Sequence, residues 1–399
     1  MSEPQQRHAT RPSRKELGAW YTPPLLVEAV VREAVFDGAR SVLDPACGDG
    51  RFLRATGLAE QVGVDIDPAT EFVHDDALTR DWGERRFDVV IGNPPFLNQL
   101  AARTTRGGRS RFGGGPYADA AAEFLALAVR LARPGGRVGL VLPQSLLSAR
   151  DAAAIRAEVD RVAALRWMWW SDTLMFDAAV RVWAGVWEVG GAPGTVRRAH
   201  GPDFEARPSM PMPSTWAALL TGTSLPTHEG PALGDIAAFT VDFRDQYYGL
   251  VGAVGDGEQG PPLVTSGLIE PGRCLWGERP VRFAKQQYAA PRVALERLSP
   301  ALQRWAAQRL VPKVLIANQT KLIEAVHDVH GDWLPSVPVI TCVTDQPERV
   351  LAVLGSDAAN EWVRHHAAGS GLSAASVRLS PRLLAGIPLS RPAPPTPRR

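Results

Sequence analysis

The feature that most limits what this chain can fold into is a repeated pairing of short apolar runs with stretches of helical spacing. The runs 41-SVLD-44, 61-QVGVDID-67, 87-FDVVIG-92 and 137-RVGLVLP-143 read as buried strands. Between them, 22-TPPLLVEAVVREAVFDG-38 and 118-ADAAAEFLALAVRLA-132 are spaced as helices. Thr22 is expected to cap the first, Pro23 and Pro24 to occupy its first turn, and Gly38 to end it. Strand and helix in alternation call for a parallel α/β sheet covered on both faces. Ser148 is expected to cap another helix reaching about Val159, before strands over 162–169 and 180–189. The second of these alternates in polarity and suits an antiparallel strand at the sheet edge. Trp167, Trp169, Trp170, Trp183 and Trp187 cluster there and are read as packing between sheet and helix.

The 399 residues allow two domains, each with its own core. After Gly190 the composition turns to Pro, Gly, Ser and Thr, which predicts a linker over 191–234 with one short helical piece near 216–220. The expected layout is a flexible arm over 1–17, a catalytic α/β domain over 18–190, that linker, a second domain over 235–388, and a disordered basic tail over 389–399. Net charge is only +2, so the total does not point to a polyanion and the distribution matters more. Cys47, Cys274 and Cys342 are odd in number and far apart, which suggests neither a disulfide framework nor a zinc site. The first residues lack the apolar core of a secretory signal, and no run is long enough to span a bilayer. The expectation is a soluble, reduced, cytoplasmic chain with no membrane partner.

The chemistry-bearing residues fall at strand ends. In 43-LDPACGDGRFL-53 a strand ends on Asp44, and Gly48 and Gly50 would let backbone approach a ligand, although the spacing is not that of dinucleotide folds. In 63-GVDIDP-68, Asp65 leaves the second strand where it could accept ribose hydroxyls. Asp75 and Asp76 follow at the next strand end, and Asn93-Pro94-Pro95-Phe96 at the one after. An Asn-Pro-Pro alone could be no more than a strand stop; four polar strand ends in succession point to a ligand site.

In the order 18-GAWYTPP-24, 43-LDPACGDGRFL-53, 63-GVDIDP-68, 74-HDDAL-78, 88-DVVIGNPPF-96 and 124-FLALAVRLARPGGRVGLVLP-143, the first half of the chain resembles the gamma-class, TaqI-like adenine-N6 DNA methyltransferases. The resemblance implies a class I S-adenosylmethionine-dependent methyltransferase sheet, Rossmann-like, followed by a target-recognition domain. It implies that Tyr21, Thr22 and Pro23 close over the methionine part of S-adenosyl-L-methionine, with Asp44, Ala46 and Gly48 lining that pocket. Asp65 would take the ribose hydroxyls, Asp76 the adenine amino group and Phe124 the adenine face, with Asn93 also beside the cofactor. Ala77 stands where the family often has a larger apolar residue, and Phe96 where most relatives have tyrosine. Asn93, Pro94, Pro95 and Phe96 would be the catalytic segment, and Phe96 with Phe176 would stack on a flipped target base. The chemistry agrees: accepting the amine hydrogens at the Asn93 side chain and the Pro94 carbonyl would concentrate the nitrogen lone pair on the methyl donor.

The insertion 97-LNQLAARTTRGGRSRFGGGPY-117 carries Arg103, Arg106, Arg109 and Arg111 without an acid, as a loop that orders on DNA phosphates would. Arg273, Arg279, Arg282, Lys285, Lys313 and Lys321 are further candidates for phosphate or base contacts. Double-stranded DNA is the expected partner. Two domains use the length, so any restriction or defence nuclease would be a separate protein. The motifs leave open a ribosomal or other RNA methyltransferase, a protein-glutamine methyltransferase, and a non-catalytic DNA-binding partner that keeps the fold.

Overall fold

The computed structural model describes residues 22–96, 110–174, 180–242, 244–371, 373 and 376–389. The chain divides into two compact units, 1–213 and 214–399.

The first unit opens on helix α1 (Pro24–Ala34), which buries Leu26, Val27, Ala29, Val30 and Ala34 along one face. Pro23, not Thr22, is its N-cap, and no side chain caps it; the helix stops at Ala34 because Val35 is already extended. Strand β1 (Ser41–Asp44), the short helix α2 (Arg51–Thr56), β2 (Glu60–Asp65), β3 (Val73–His74) and β4 (Phe87–Gly92) follow. Helix α3 (Ala120–Leu131) is capped by Asp119, whose carboxylate accepts the Ala121 N–H at 2.9 Å. It leads straight into β5 (Ala132–Pro143).

Ser148 does not start the next helix. Two tight 3-10 turns, Gln144–Leu147 and Arg150–Ala152, precede α4 (Ala153–Val162), and the Ser148 N–H closes the first of them. The Arg156 guanidinium fixes this arrangement by donating to the carbonyls of Leu146 and Ala149 at 2.7 and 2.8 Å. Strands β6 (Ala163–Trp170) and β7 (Val182–Val189) complete the expected elements. All five tryptophans of this region are buried. Gly185 makes room for two of them, since a Cβ there would lie 2.5 Å from the Trp187 ring and 2.8 Å from that of Trp183.

Two strands occupy part of the expected linker: β8 (Thr195–His200) and β9 (Glu205–Pro211). The resulting nine-stranded sheet has the order β3-β2-β1-β4-β5-β7-β6-β8-β9. The strand expected at the edge, β7, is therefore interior, antiparallel to both β5 and β6. The edge is β9, where Pro208 and Pro211 are tolerated because an edge strand leaves N–H groups outside the ladder. The rest of the expected linker belongs to the second unit, where Trp216, Ala217, Ala218 and Leu219 are buried. The boundary thus falls after Pro213, where the last sheet strand has ended, and not across a 191–234 spacer.

Strands β1 to β5 run parallel, and the chain reverses its direction of travel across the sheet between β1 and β4. In open α/β sheets that reversal opens a crevice outside the carboxyl ends of the strands.

The second unit holds an antiparallel sheet of Ala238–Val241, Ile340–Val343, Lys313–Ile316 and Ala325–Asp328, in that order. Helices Pro347–Leu354, Asp357–Ala367 and Pro381–Ala385 contribute to its core. A second cluster gathers Leu250, Phe283, Val293, Leu298 and Trp305.

Candidate active site

The four polar strand ends meet on one side of the sheet, because β3, β2, β1 and β4 are parallel neighbours. Asp44 ends β1 and is buried at 1% exposure. One of its oxygens accepts the Ala46 N–H at 3.1 Å. Burial pushes its carboxyl up to about 8, with Asp65 and Asp49 adding repulsion and the Ala46 hydrogen bond opposing. The Cys47 thiol beside it is also pushed up, by burial first and then by Asp44.

The loop after Asp44 is tied to β2 at two points. The Cys47 N–H donates to the Val64 carbonyl at 3.0 Å, and the Gly48 N–H to the Asp65 carboxylate at 2.7 Å. The other Asp65 oxygen accepts the Asp67 N–H at 2.9 Å. Gly48 and Gly50 hold φ of 53° and 72°, the left-handed conformation that side chains resist. Gly50 is also crowded, since a Cβ there would lie 2.3 Å from the Phe72 ring.

Past β3, Asp75 pairs with Arg80 at 2.5 Å, and that hydrogen bond holds its carboxyl low. The adjacent Asp76 accepts the Leu78 N–H at 3.0 Å. Ala77 and Phe124 are both buried, and the Ala77 carbonyl accepts the Trp82 indole N–H at 3.0 Å. Thr22 is buried, and its carbonyl accepts from Arg51, a residue of α2 that also pairs with Asp49. Pro23 is half-buried, as is Ala46.

β4 delivers the last segment. Gly92 has φ of 155°, and a Cβ on it would come 2.5 Å from an Asp44 oxygen. The ends of β1 and β4 are thus so close that only glycine fits. Asn93 follows at once, half-buried and with its side-chain oxygen out of solvent. Pro94 is buried, Pro95 half-buried, and Phe96 packs partly buried against the core cluster of Val89, Ile91 and Trp169.

Tyr21, Phe176, Arg103, Arg106 and Arg109 lie outside the described residues. Arg111 reaches the Thr79 carbonyl at 3.5 Å. Beside it, Ser110 donates to the buried Glu123 of α3 at 2.5 Å and accepts the Gly114 N–H at 2.6 Å.

Three contributors escaped the sequence reading. Gly92 has a signal, a glycine directly before the Asn-Pro-Pro, but its need arises from a neighbouring strand. Arg51 looks like a helix surface residue yet holds both Thr22 and Asp49. Gln144 is buried and donates to the carbonyls of Ser171 and Val182, both at 3.1 Å, so it bridges the two stems that leave β6 and enter β7. Of the cations proposed in the second unit, Lys313 is withdrawn from any ligand. It is fully buried against Asp328 at 2.5 Å, directly opposite it in the sheet.

The mixed sheet and the added C-terminal unit define a class I S-adenosylmethionine-dependent methyltransferase fold of the Rossmann-like kind. Residues 58–162 match the family model of the Eco57I restriction-modification methylase. The chain is 32% identical over 180 residues to the type II methyltransferase M.TthHB8I of Thermus thermophilus, covering 37% of this chain and 40% of that protein. It is 27% identical over 107 residues to the type II methyltransferase M.CvrRI of Paramecium bursaria Chlorella virus XZ-6E, covering 23% and 28%. The similarity therefore spans less than half the length of either relative. Among solved structures, the type IIL restriction-modification enzyme MmeI in complex with DNA superposes with a TM-score of 0.54 at 12% identity, over 94% of this chain and 64% of that one. That likeness is one of fold.

Proposed function

We propose that this chain transfers a methyl group from S-adenosylmethionine to the N6 amine of an adenine flipped out of double-stranded DNA, within a restriction-modification or phage-defence setting. The observation that carries the reading is the contact between two strand ends. Gly92, directly before Asn93-Pro94, packs against the buried Asp44 at the reversal point of the sheet. The match of residues 58–162 to the Eco57I restriction-modification methylase model and the similarity to two type II methyltransferases support the same class of reaction.

The residues present suit the cofactor. Asp44, Asp65 and Asp76 set three carboxyl groups along the strand ends, complementary to a molecule with an ammonium, a sulfonium and ribose hydroxyls. Each Asp65 oxygen makes one backbone hydrogen bond and retains lone-pair capacity for a ribose hydroxyl. The buried Ala77 and Phe124 would supply the apolar contacts to a purine, with Asp76, next to Ala77 in the chain, accepting its amino group. Thr22 and Pro23, with Tyr21 before them, together with Ala46 and Gly48, would enclose the methionine part. When bound, the cofactor supplies an electrophilic methyl on sulfur.

The chain's own task is to make a poor nucleophile attack. The Asn93 side-chain oxygen and the Pro94 carbonyl accept the two amine hydrogens, and the lone pair then localises away from the ring. Pro94 and Pro95 have fixed φ, so the carbonyl is aimed without reorganisation. Phe96, with Phe176, holds the base by stacking; the lost tyrosine hydroxyl leaves the ring face intact. No strong general base is required, because alignment and charge placement supply the acceleration.

The test is expression of the wild type and Asn93→Ala in a host without DNA methylation, followed by single-molecule sequencing. N6-methyladenine in a fixed motif, absent in the variant while S-adenosylmethionine still binds by calorimetry, is the expected result. Unmodified DNA alongside methylated RNA would overturn the choice of substrate. Absence of cofactor binding would favour a non-catalytic DNA-binding partner.

A further inference from the structure

The second unit contains a backbone anomaly that the catalytic reading does not use. Strands Val281–Phe283 and Gln286–Tyr288 pair antiparallel, with Val281 opposite Tyr288, Arg282 opposite Gln287 and Phe283 opposite Gln286. The connection is two residues, Ala284 and Lys285, and both hold positive φ, 47° and 70°. Such hairpin turns are ordinarily built from Asn and Gly, because a Cβ resists this conformation. The turn is held from below. Phe283 is buried with its ring 4.8 Å from that of Tyr247, and the Tyr247 hydroxyl accepts the Ala284 N–H at 3.0 Å. Strain kept against local preference and enforced by packing is characteristic of segments shaped for a ligand.

The exposed face of the hairpin has a matching chemistry. Val281 and Phe283 point inward, so Arg282 and its cross-strand partner Gln287 share the solvent face, with Lys285 exposed at the tip. Three other cations of this unit are paired: Arg273 with Glu278, Arg279 with Glu270 and Lys313 with Asp328. Arg282 and Lys285 have no ion-pair partner among the described residues. A two-stranded ribbon is one of the elements that the DNA major groove admits. Arginine and glutamine are the side chains that meet guanine and adenine edges in bidentate fashion there. Directly opposed residues stand about 5 Å apart at Cβ, close enough to address neighbouring base pairs.

We infer that the hairpin 281–288 enters the major groove, where Arg282 and Gln287 read base edges and Lys285 contacts a phosphate. This rests on the DNA methyltransferase reading above and deepens it by naming an element that sets the target sequence.

The test uses the full chain carrying Arg282→Ala, Arg282→Lys, Gln287→Ala or Lys285→Ala, with genome-wide mapping of methylated adenines, rates on the wild-type motif, and calorimetric cofactor titration. Arg282→Ala and Gln287→Ala are expected to relax the motif at one position each and to slow methylation of the original site by roughly 10- to 100-fold, with cofactor affinity unchanged. Arg282→Lys keeps the charge but not the two-pronged geometry and should relax the motif likewise. Lys285→Ala should weaken binding evenly across sequences and lower the salt slope by about one. An unchanged motif in all three Arg282 and Gln287 variants, whether or not binding weakens, would overturn the inference while the wild type continues to methylate DNA. A wild type that leaves DNA unmodified would overturn the underlying reading, and this inference with it.

Discussion

Asp44 gives the site a pH signature that can be worked out in advance. Its carboxyl is buried and raised from an ordinary 3.8 to about 8. In the free protein at pH 7 it is then about nine-tenths protonated. A ligand bearing an ammonium and a sulfonium favours the ionised carboxylate, so binding should expel close to one proton at pH 7 and almost none at pH 9. The deprotonation costs about 1.4 kcal/mol per pH unit below the raised value, so cofactor affinity should rise roughly tenfold per unit from pH 6 to 8 and level off above. Calorimetry in buffers of different ionisation enthalpy counts the protons directly. Asp44→Asn removes this titration, and the difference between variant and wild type subtracts the ligand's own amine.

Stability of the free protein follows the opposite trend. The folded state binds the Asp44 proton more tightly than the unfolded chain does, so between about pH 4 and 8 this group makes stability fall as pH rises, by up to about 1.4 kcal/mol per unit. Asn at this position should flatten that slope. Equal proton release by wild type and Asp44→Asn, with parallel pH profiles of affinity, would refute the assignment of Asp44 as a buried group that ionises against the ligand.

Gly92→Ala would force a methyl to 2.5 Å from the Asp44 carboxylate and impose a side chain at φ 155°; cofactor affinity should fall at least about tenfold and thermal stability by about 1–3 kcal/mol, and an unchanged titration and melting curve would dismiss the contact. Lys313→Met would leave Asp328 buried with, among the described residues, the N–H groups of Gly331, Asp332 and Trp333 as its remaining donors. A loss of about 3–5 kcal/mol is expected by calorimetric unfolding, whereas a neutral result would mean that water reaches the carboxylate. Replacing Arg103, Arg106, Arg109 and Arg111 with serine should flatten the plot of log affinity for DNA against log salt by about 3.6 units if all four meet phosphates. An unchanged slope would remove this segment from the interface.

What the sequence made legible was whatever a residue's immediate neighbours decide. Asp44, Asp65 and Asn93 could be placed because each follows an apolar run and precedes a turn, and Asp76 because it lies just past the next short strand; parallel pairing brings these strand ends to one edge. The strands Thr195–His200 and Glu205–Pro211 were missed for the converse reason. Proline and glycine around them argue for a linker, and only the exposed position at the sheet edge makes Pro208 acceptable. Lys313 misled in the same way. Nothing local distinguishes it from a surface cation until the register sets it opposite Asp328. The raised carboxyl of Asp44 belongs here too, since it lies buried against Gly92 at the β4 end, more than forty positions away.

The turn at Ala284-Lys285 is the strongest case, because there local preference and observed conformation disagree outright. A reader of the sequence would look for Asn-Gly at a two-residue hairpin and find neither. The conformation holds because Phe283 is buried beneath it and Tyr247, thirty-seven positions earlier, binds its backbone. Asn-Gly would relieve the strain but would take the tip cation away. The chain instead carries Lys285 at φ 70°, beside an exposed Arg282 that has no ion-pair partner among the described residues, and a strained tip bearing two cations is suited to DNA.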